Sequence, residues 1–390
     1  MDRGLTRQRV VCFSTADWDT LLPTNKHQLM RRLARRGNRV LYIETLGTRA
    51  PSLASGTDVR RIFRRLKRSF DGARLREPRL WTVSPLVRPL WAKPMQRTLN
   101  RAVFGLQVSA ARRSFRGAIA WVYSPYAVHL LDLFKPSLVV YHLVDDLSAV
   151  PGADKTAMRE AEGILLGRAD LVFCTEQSLY DRVKDRTRRA IFLPNVADFA
   201  HFRRPKTRSV HADILAAEDR PVILFSGNLA HHKVDFPLLA RIAWARPDWV
   251  LVLAGPVWEG TSPEQLAGLD RIRNVRMLGH VPYEELPSVL HEADVLLIPY
   301  VMNEATAAVF PLKFFEYLST GKPIVATPLQ SLLPYQGLVA MGSSAEEFIP
   351  AIEAALEEAP ERAAPRLALA RRHTWERRLL EMGREINALL

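Results

Sequence analysis

The chain has 390 residues, 48% hydrophobic and 25% charged, with a formal net charge of +14. That is enough apolar material for two cores rather than one, and with no apolar run of about 18 residues a membrane-spanning helix is excluded. The charge is uneven: residues 1–118 carry 26 Lys and Arg against 7 Asp and Glu, and the remainder 29 against 34.

From the N-terminus, MDRGLTRQRVVCFSTADWD lacks a long apolar h-region and reads as a first strand, so no secretion signal is expected. Hydrophobic periodicity predicts a strand at 10–14, a helix at 24–36 opened by Thr24 and stopped at Gly37, and a strand at 40–43. Residues 46–80 are basic and irregular, with room for one amphipathic helix. A long helix follows at 94–116, then strands at 119–123, 137–142, 171–175 and 190–193, with helices at 154–168 and 176–187 between them. This alternation implies a doubly wound parallel sheet. Residues 194–198 and the polar 203–220 stretch form a linker. The alternation then restarts with strands at 222–226, 250–254, 275–278, 295–298 and 323–326. The Ala/Glu/Arg-rich 353–370 stretch reads as an exposed helix, and the tail around Trp375 as a final one. Cys12 and Cys174 fall inside apolar strand-like runs, as buried thiols of a reducing cytoplasm do.

The positive charge of the first third concentrates at Arg31, Arg32, Arg35, Arg36 and Arg39, through residues 60–68, and at Arg112, Arg113 and Arg116. Three readings are open. One is a solvated arginine-rich surface. Another is attraction to an anionic membrane face, since residues 60–70 interleave Ile62, Phe63, Leu66 and Phe70 with arginines at helical spacing. The last is nucleic acid, which is not expected, because no helix-turn-helix, zinc or RNP signature accompanies the charge.

The most informative stretch is 293–326, ADVLLIPYVMNEATAAVFPLKFFEYLSTGKPIVA. It reads as strand, polar loop, short helix and strand, with Pro311 in the first helical turn and Gly321 at the helix end. Such a unit aims its helix N-terminus at the carboxyl edge of a parallel sheet, where backbone N–H groups favour an anion. Lys313, beside Leu312 at the helix start, brings a point charge to a phosphate. Glu316 offers two acceptor oxygens to a pair of sugar hydroxyls. A nucleoside-diphosphate sugar presents both groups.

The form PLKFFEYLSTGKPIV resembles the donor-binding segment of GT-B glycosyltransferases, in particular the bacterial family 4 (group 1) enzymes that build exopolysaccharide and teichuronic-type polymers. The resemblance implies that Glu316 holds the nucleotide ribose. Many members carry a second glutamate eight residues earlier, where this chain has Ala308; sugar contacts are then expected from Asn303, Glu304 or Thr306. The loop Ser226-Gly227-Asn228-Leu229-Ala230-His231-His232-Lys233 is similar to the family's G-R-L-x-x-x-K phosphate loop, with Lys233 retained and Asn228 in place of the arginine. Gly-Asn after a strand is also an ordinary turn. Gly279-His280-Val281 marks the next pocket wall, with His280 either a ligand neighbour or a surface residue.

Asp145 and Asp146 end an apolar strand. Repulsion between adjacent carboxylates would leave one a base for an acceptor hydroxyl; the alternative is a cap for the turn that follows. Asp19, Asn25 and Lys26 are expected on the acceptor side. Asp17-Trp18-Asp19 matches a D-x-D metal motif, which a chain with this donor segment does not require, so neither a metal nor another cofactor is expected.

Together these readings give an α/β protein of GT-B architecture, two Rossmann-like doubly wound domains facing a cleft. Residues 1–200 bind acceptor, 201–372 bind the nucleotide sugar, and 373–390 form a crossover helix returning to the first domain. The expected activity is sugar transfer from a nucleoside-diphosphate sugar to a hydroxyl of a lipid-linked or membrane-proximal glycan. It is placed at the inner face of the cell membrane, with retention the default and inversion open. A nucleotide-sugar epimerase and a non-catalytic nucleotide-sugar-binding protein are the alternatives.

Overall fold

The computed structural model describes residues 4–47, 68, 69, 72–205, 207, 209–216, 218–258 and 260–390. Two compact units emerge: residues up to Pro194 together with Arg378–Leu390, and Asn195–Arg377. The first division thus falls six residues before 200, and the last helix, Trp375–Asn387, begins in one unit and ends in the other.

The first unit is built on β1 (Arg9–Phe13), β2 (Arg39–Ile43), β3 (Arg74–Glu77), β4 (Leu80–Val83), β5 (Ile119–Val122), β6 (Leu138–Leu143), β7 (Leu171–Cys174) and β8 (Ala190–Phe192). Their order among the described residues is β3-β4-β2-β1-β5-β6-β7-β8. Every neighbouring pair is parallel except β3 with β4. β6 is buried along its whole length, as a central parallel strand covered on both faces must be. Cys12 and Cys174 are buried free thiols.

The second unit carries β9 (Val222–Ser226), β10 (Val250–Ala254), β11 (Val275–Gly279), β12 (Val295–Ile298), β13 (Ile324–Ala326) and β14 (Ala340–Met341). They form a parallel sheet in the order β11-β10-β9-β12-β13-β14. The order reverses between β9 and β12, and ligands of doubly wound sheets sit outside the carboxyl ends of the strands at such a reversal.

Several expectations are corrected. Residues 74–83 form the edge hairpin β3–β4, which its arginines and short strands had disguised. The basic 60–67 segment and Phe70 lie outside the described residues. The 94–116 helix is two helices, Pro94–Gln107 and Ser109–Ser114, divided at Val108. The stretch read as a linker contains helices Phe199–Phe202 and Val210–Ala216. The 353–370 region belongs to helices Ala345–Leu356 and Ala363–Arg372, and the second of these buries Arg366 and Ala370. In the final helix, Trp375, Leu379, Met382 and Ile386 repeat at four-three-four spacing and are all buried. No helix among the described residues is long and apolar enough to cross a membrane.

Candidate functional site

At the carboxyl edge of the second sheet, three neighbouring strands each end on a glycine of positive φ: Gly227 (146°), Gly255 (150°) and Gly279 (67°). Glycine alone adopts the first two conformations without penalty. A Cβ on Gly255 would lie 1.8 Å from the Gly227 carbonyl oxygen, so the two turns are in direct backbone contact. The loop after β9 is fastened on both sides. Gly227 N–H donates to Ala254 O (2.8 Å) and Leu229 N–H to Pro256 O (2.9 Å). On the other flank Asp235 N–H donates to Pro299 O (2.8 Å), Val301 N–H to Lys233 O (2.9 Å), and Asn303 Nδ2 to His232 O (3.0 Å). This loop is therefore held in place by the strand ends around it.

The helix Leu312–Thr320 starts beside this loop. Pro311 is its N-cap, no side chain caps it, and its first turn holds no acid. Its leading N–H groups are thereby left for an anion. Gly321, at φ 82°, ends it. Lys313 is buried, and its ammonium donates to the Tyr300 hydroxyl (2.6 Å), 4.7 Å from the Tyr300 ring centroid and 5.0 Å from that of Phe225. A Cβ on Gly227 would come within 3.2 Å of Lys313 Cε and Nζ, so this glycine is what lets the ammonium reach the loop. Tyr317, one turn on, accepts the Ser226 N–H (2.8 Å) and fixes the helix to the end of β9.

Glu316 is half-buried on the same helix. Burial pushes its carboxyl up from the ordinary 4.5 to about 7, against the opposing pull of Lys313. A carboxyl held this way gains on ionising if hydroxyl donors are brought to it. Asn228 is exposed, while Lys233, Leu312 and His280 are half-buried. His280 Nδ1 is a buried nitrogen with no partner among the described residues. Thr306 corrects its expectation. It is fully buried, its hydroxyl donates to Val301 O, and its N–H is held by Asn303 Oδ1 (2.9 Å). Thr306 and Asn303 form a capping box for helix Glu304–Ala307, which leaves the Thr306 hydroxyl no surface for a sugar.

In the first unit the order reverses between β1 and β5, and a polar cluster lies at their carboxyl ends. Asn25 and Lys26 are buried in it rather than displayed, with Lys26 Nζ 5.3 Å from the Tyr123 ring centroid. His27 Nδ1 accepts the Thr24 N–H (3.1 Å), and burial pulls its pKa down to about 4. His142, at the end of β6, stands 3.1 Å from Tyr123 Oη through Nδ1, and burial lowers its pKa to about 3. Asp19 is paired with Arg76 (2.9 Å) and Arg68 (3.3 Å), so it is a structural anion here. Among the described residues no group of three or more His, Cys, Asp or Glu is arranged to hold a metal ion.

The two strand-end aspartates separate cleanly. Asp146 caps the turn after β6, accepting from Ser148 N–H (3.0 Å) and Ser148 Oγ (2.6 Å), with Arg159 3.5 Å away. Burial would raise its pKa, but those hydrogen bonds prevail and hold it below the usual range. A carboxylate so stabilised is a poor base, which corrects its candidacy. Asp145, beside it, is half-buried and makes no such cap.

Tyr300, Tyr317 and Gly255 are site residues that the sequence reading left out. Tyr317 lies four residues after Lys313, on one helical face with it, and Gly255 repeats the strand-then-glycine pattern of Gly227. Both signals were present.

Residues 220–358 match the family model of Glycosyl transferases group 1, as the resemblance implied. The chain is 28% identical over 254 residues to TuaH of Bacillus subtilis, a protein named as a teichuronic acid biosynthesis glycosyltransferase. That match covers 60% of this chain and 63% of the relative, so the chain spans less than two thirds of its length. Among solved structures, sucrose-phosphate synthase from Thermosynechococcus elongatus superposes with a TM-score of 0.72 at 17% identity, over 98% of this chain and 99% of that one. Anabaena HepE in complex with UDP-glucose gives 0.67 at 14% identity, over 98% and 100%. The protein has the GT-B fold.

Proposed function

We propose that this GT-B chain, with its group 1 glycosyl transferase segment at residues 220–358, moves a sugar from a nucleoside-diphosphate sugar to a hydroxyl of a lipid-linked or membrane-proximal glycan. The observation that carries the reading is the convergence of Lys313, an uncapped helix start and the Gly227 loop at the reversal of the second sheet, with Glu316 one turn away. The diphosphate lies between Lys313, Lys233 and the helix N–H groups, and Glu316 accepts from the ribose hydroxyls. HepE, of the same fold, was solved with UDP-glucose, and TuaH is named for polymer synthesis, which supports this donor and acceptor class.

In the reaction the bond from the anomeric carbon to the diphosphate breaks and a bond to the acceptor oxygen forms. Charge develops on the leaving diphosphate, where Lys313, Lys233 and the helix dipole stabilise it. Asp145 serves the acceptor: as the base taking its hydroxyl proton if the anomeric centre inverts, or by orienting it if configuration is retained, the default by resemblance, in which case the leaving diphosphate oxygen takes that proton.

Asp145→Asn is expected to lower turnover by about 100- to 10,000-fold if Asp145 is the base of an inverting transfer, and by less if it only orients the acceptor, while UDP-glucose affinity stays unchanged. Transfer at the wild-type rate removes Asp145 from the mechanism. Free sugar released without acceptor points to epimerisation or hydrolysis, and the anomeric coupling in the NMR spectrum of the product distinguishes retention from inversion.

A further inference from the structure

The helix Pro94–Gln107 is attached by one face and apolar on the other. Its inner side buries Asn100 and Phe104. Asn100 is clamped to the Arg88 backbone, donating to its carbonyl (2.8 Å) and accepting from its N–H (2.9 Å). On the opposite side Met95, Leu99 and Leu106 are 86%, 49% and 78% exposed, and Ala102 is exposed between them. At 3.6 residues per turn these four lie within an arc of about 60°. Scattered exposed apolar residues are ordinary, but an aligned stripe pointing away from the core is not.

Charge identifies what covers it. Residues 93–118 contain no acidic residue. Arg97 and Arg101 are balanced by Glu160 and Asp132. Lys93, Arg112, Arg113 and Arg116 are exposed and form no ion pair among the described residues. An apolar ridge preceded in the chain by Lys93 and followed by the unbalanced Arg112 and Arg113 of the next helix and Arg116 just beyond it suits a bilayer surface, the side chains entering the acyl boundary while the cations meet anionic headgroups.

We infer that the Met95–Leu99–Leu106 face of this helix docks the protein on an anionic lipid bilayer. This deepens the membrane-proximal acceptor proposed above and takes its purpose from that reading. The location differs from the 60–70 segment that the sequence suggested.

The test is co-sedimentation of the full chain with phosphatidylcholine vesicles, with and without one-third phosphatidylglycerol, at rising salt and without donor or acceptor. The wild type is expected to partition onto the anionic vesicles and to be released by salt. Met95→Ser/Leu99→Ser/Leu106→Ser should weaken that partition about 10-fold or more. Arg112→Gln/Arg113→Gln/Arg116→Gln should weaken it about 100-fold and flatten the salt dependence. A UDP-glucose thermal shift, measured on the same samples, reports folding and donor binding separately, so loss of docking and loss of the donor reading are seen apart. The inference is overturned if either triple variant binds vesicles as the wild type does, or if the wild type binds neither vesicle. It is equally overturned if the serine triple abolishes a concentration-dependent self-association seen without lipid, which would make the stripe a protein interface.

Discussion

Gly255→Ala is expected to destabilise the second unit by roughly 3–5 kcal/mol, the sum of left-handed backbone strain and overpacking. The new methyl would stand 1.8 Å from the Gly227 carbonyl oxygen, and both partners are backbone, with no side chain to swing aside. Residue 255 would also be held at φ 150°, a conformation that L side chains rarely adopt. The turn must open, and with it goes the Gly227 N–H bond to Ala254 O (2.8 Å) that shapes the loop after β9. Urea denaturation should show the loss, and the thermal shift with UDP-glucose should vanish. Gly337→Ala is the control: that glycine is exposed with nothing within 4 Å of its would-be Cβ, and the change should be silent. Equal midpoints for wild type and Gly255→Ala would show that the two turns are not in contact.

Glu316 carries the second large effect. If Glu316 holds the ribose as proposed, replacement by Ala removes two charge-assisted hydrogen bonds worth roughly 1.5–3 kcal/mol each, so UDP-glucose should bind about 100- to 10,000-fold more weakly. The free carboxyl titrates near pH 7 because burial opposes its charge. Hydroxyl donors from the ribose favour the ionised form, so affinity should rise as pH increases through 7, with a proton released on binding below that point. Calorimetry in buffers of different ionisation enthalpy measures that proton. UDP-glucose is the suitable ligand because its phosphates stay fully ionised over this range. Folding stability runs the other way. A carboxyl whose pKa is raised on folding contributes below its unfolded 4.5, and that contribution is lost as pH climbs through 7. Glu316→Gln should flatten both profiles, and a wild-type pH dependence in Glu316→Gln would assign it to another group.

The sequence resolved the second unit better than the first, for physical reasons. The strand Val295–Ile298, Gly321 and the strand Ile324–Ala326 each carry a local signal that tertiary contacts did not override, while Pro311, expected in the first helical turn, is the extended N-cap one residue before it. β3 escaped because Arg74 and Arg76 make an edge strand look like a charged loop; Arg76 is held by Thr82 (2.9 Å) and Asp19 (2.9 Å), partners that only the fold supplies. Positions of site residues were legible, whereas directions were not. Lys313 is expected from the sequence to bring a point charge to a phosphate; what the sequence does not show is that its ammonium rests on the Tyr300 hydroxyl and on the Tyr300 and Phe225 rings, along a path that Gly227 opens. Asp145 and Asp146 are equivalent as letters. Ser148 two residues on makes Asp146 the cap, and an Asp two residues before a Ser is a turn signal that could have been used. Thr306 followed the same logic, since Asn303-x-x-Thr306 is itself a capping pattern. The polar cluster of Asn25, Lys26, His27 and His142 was illegible as a cluster, because it joins a helix start to a strand more than a hundred residues later.

The most direct measurement pairs two ligands with two proteins: UDP-glucose and its 2′-deoxy analogue, each titrated into wild type and Glu316→Ala. If Glu316 grips the pentose, the wild type should prefer the ribose form by about 10-fold or more, the value of one charge-assisted hydrogen bond, and Glu316→Ala should bind the two alike. The same preference in both proteins would contradict the account, because it would place the nucleotide's sugar out of reach of the helix that begins at Leu312.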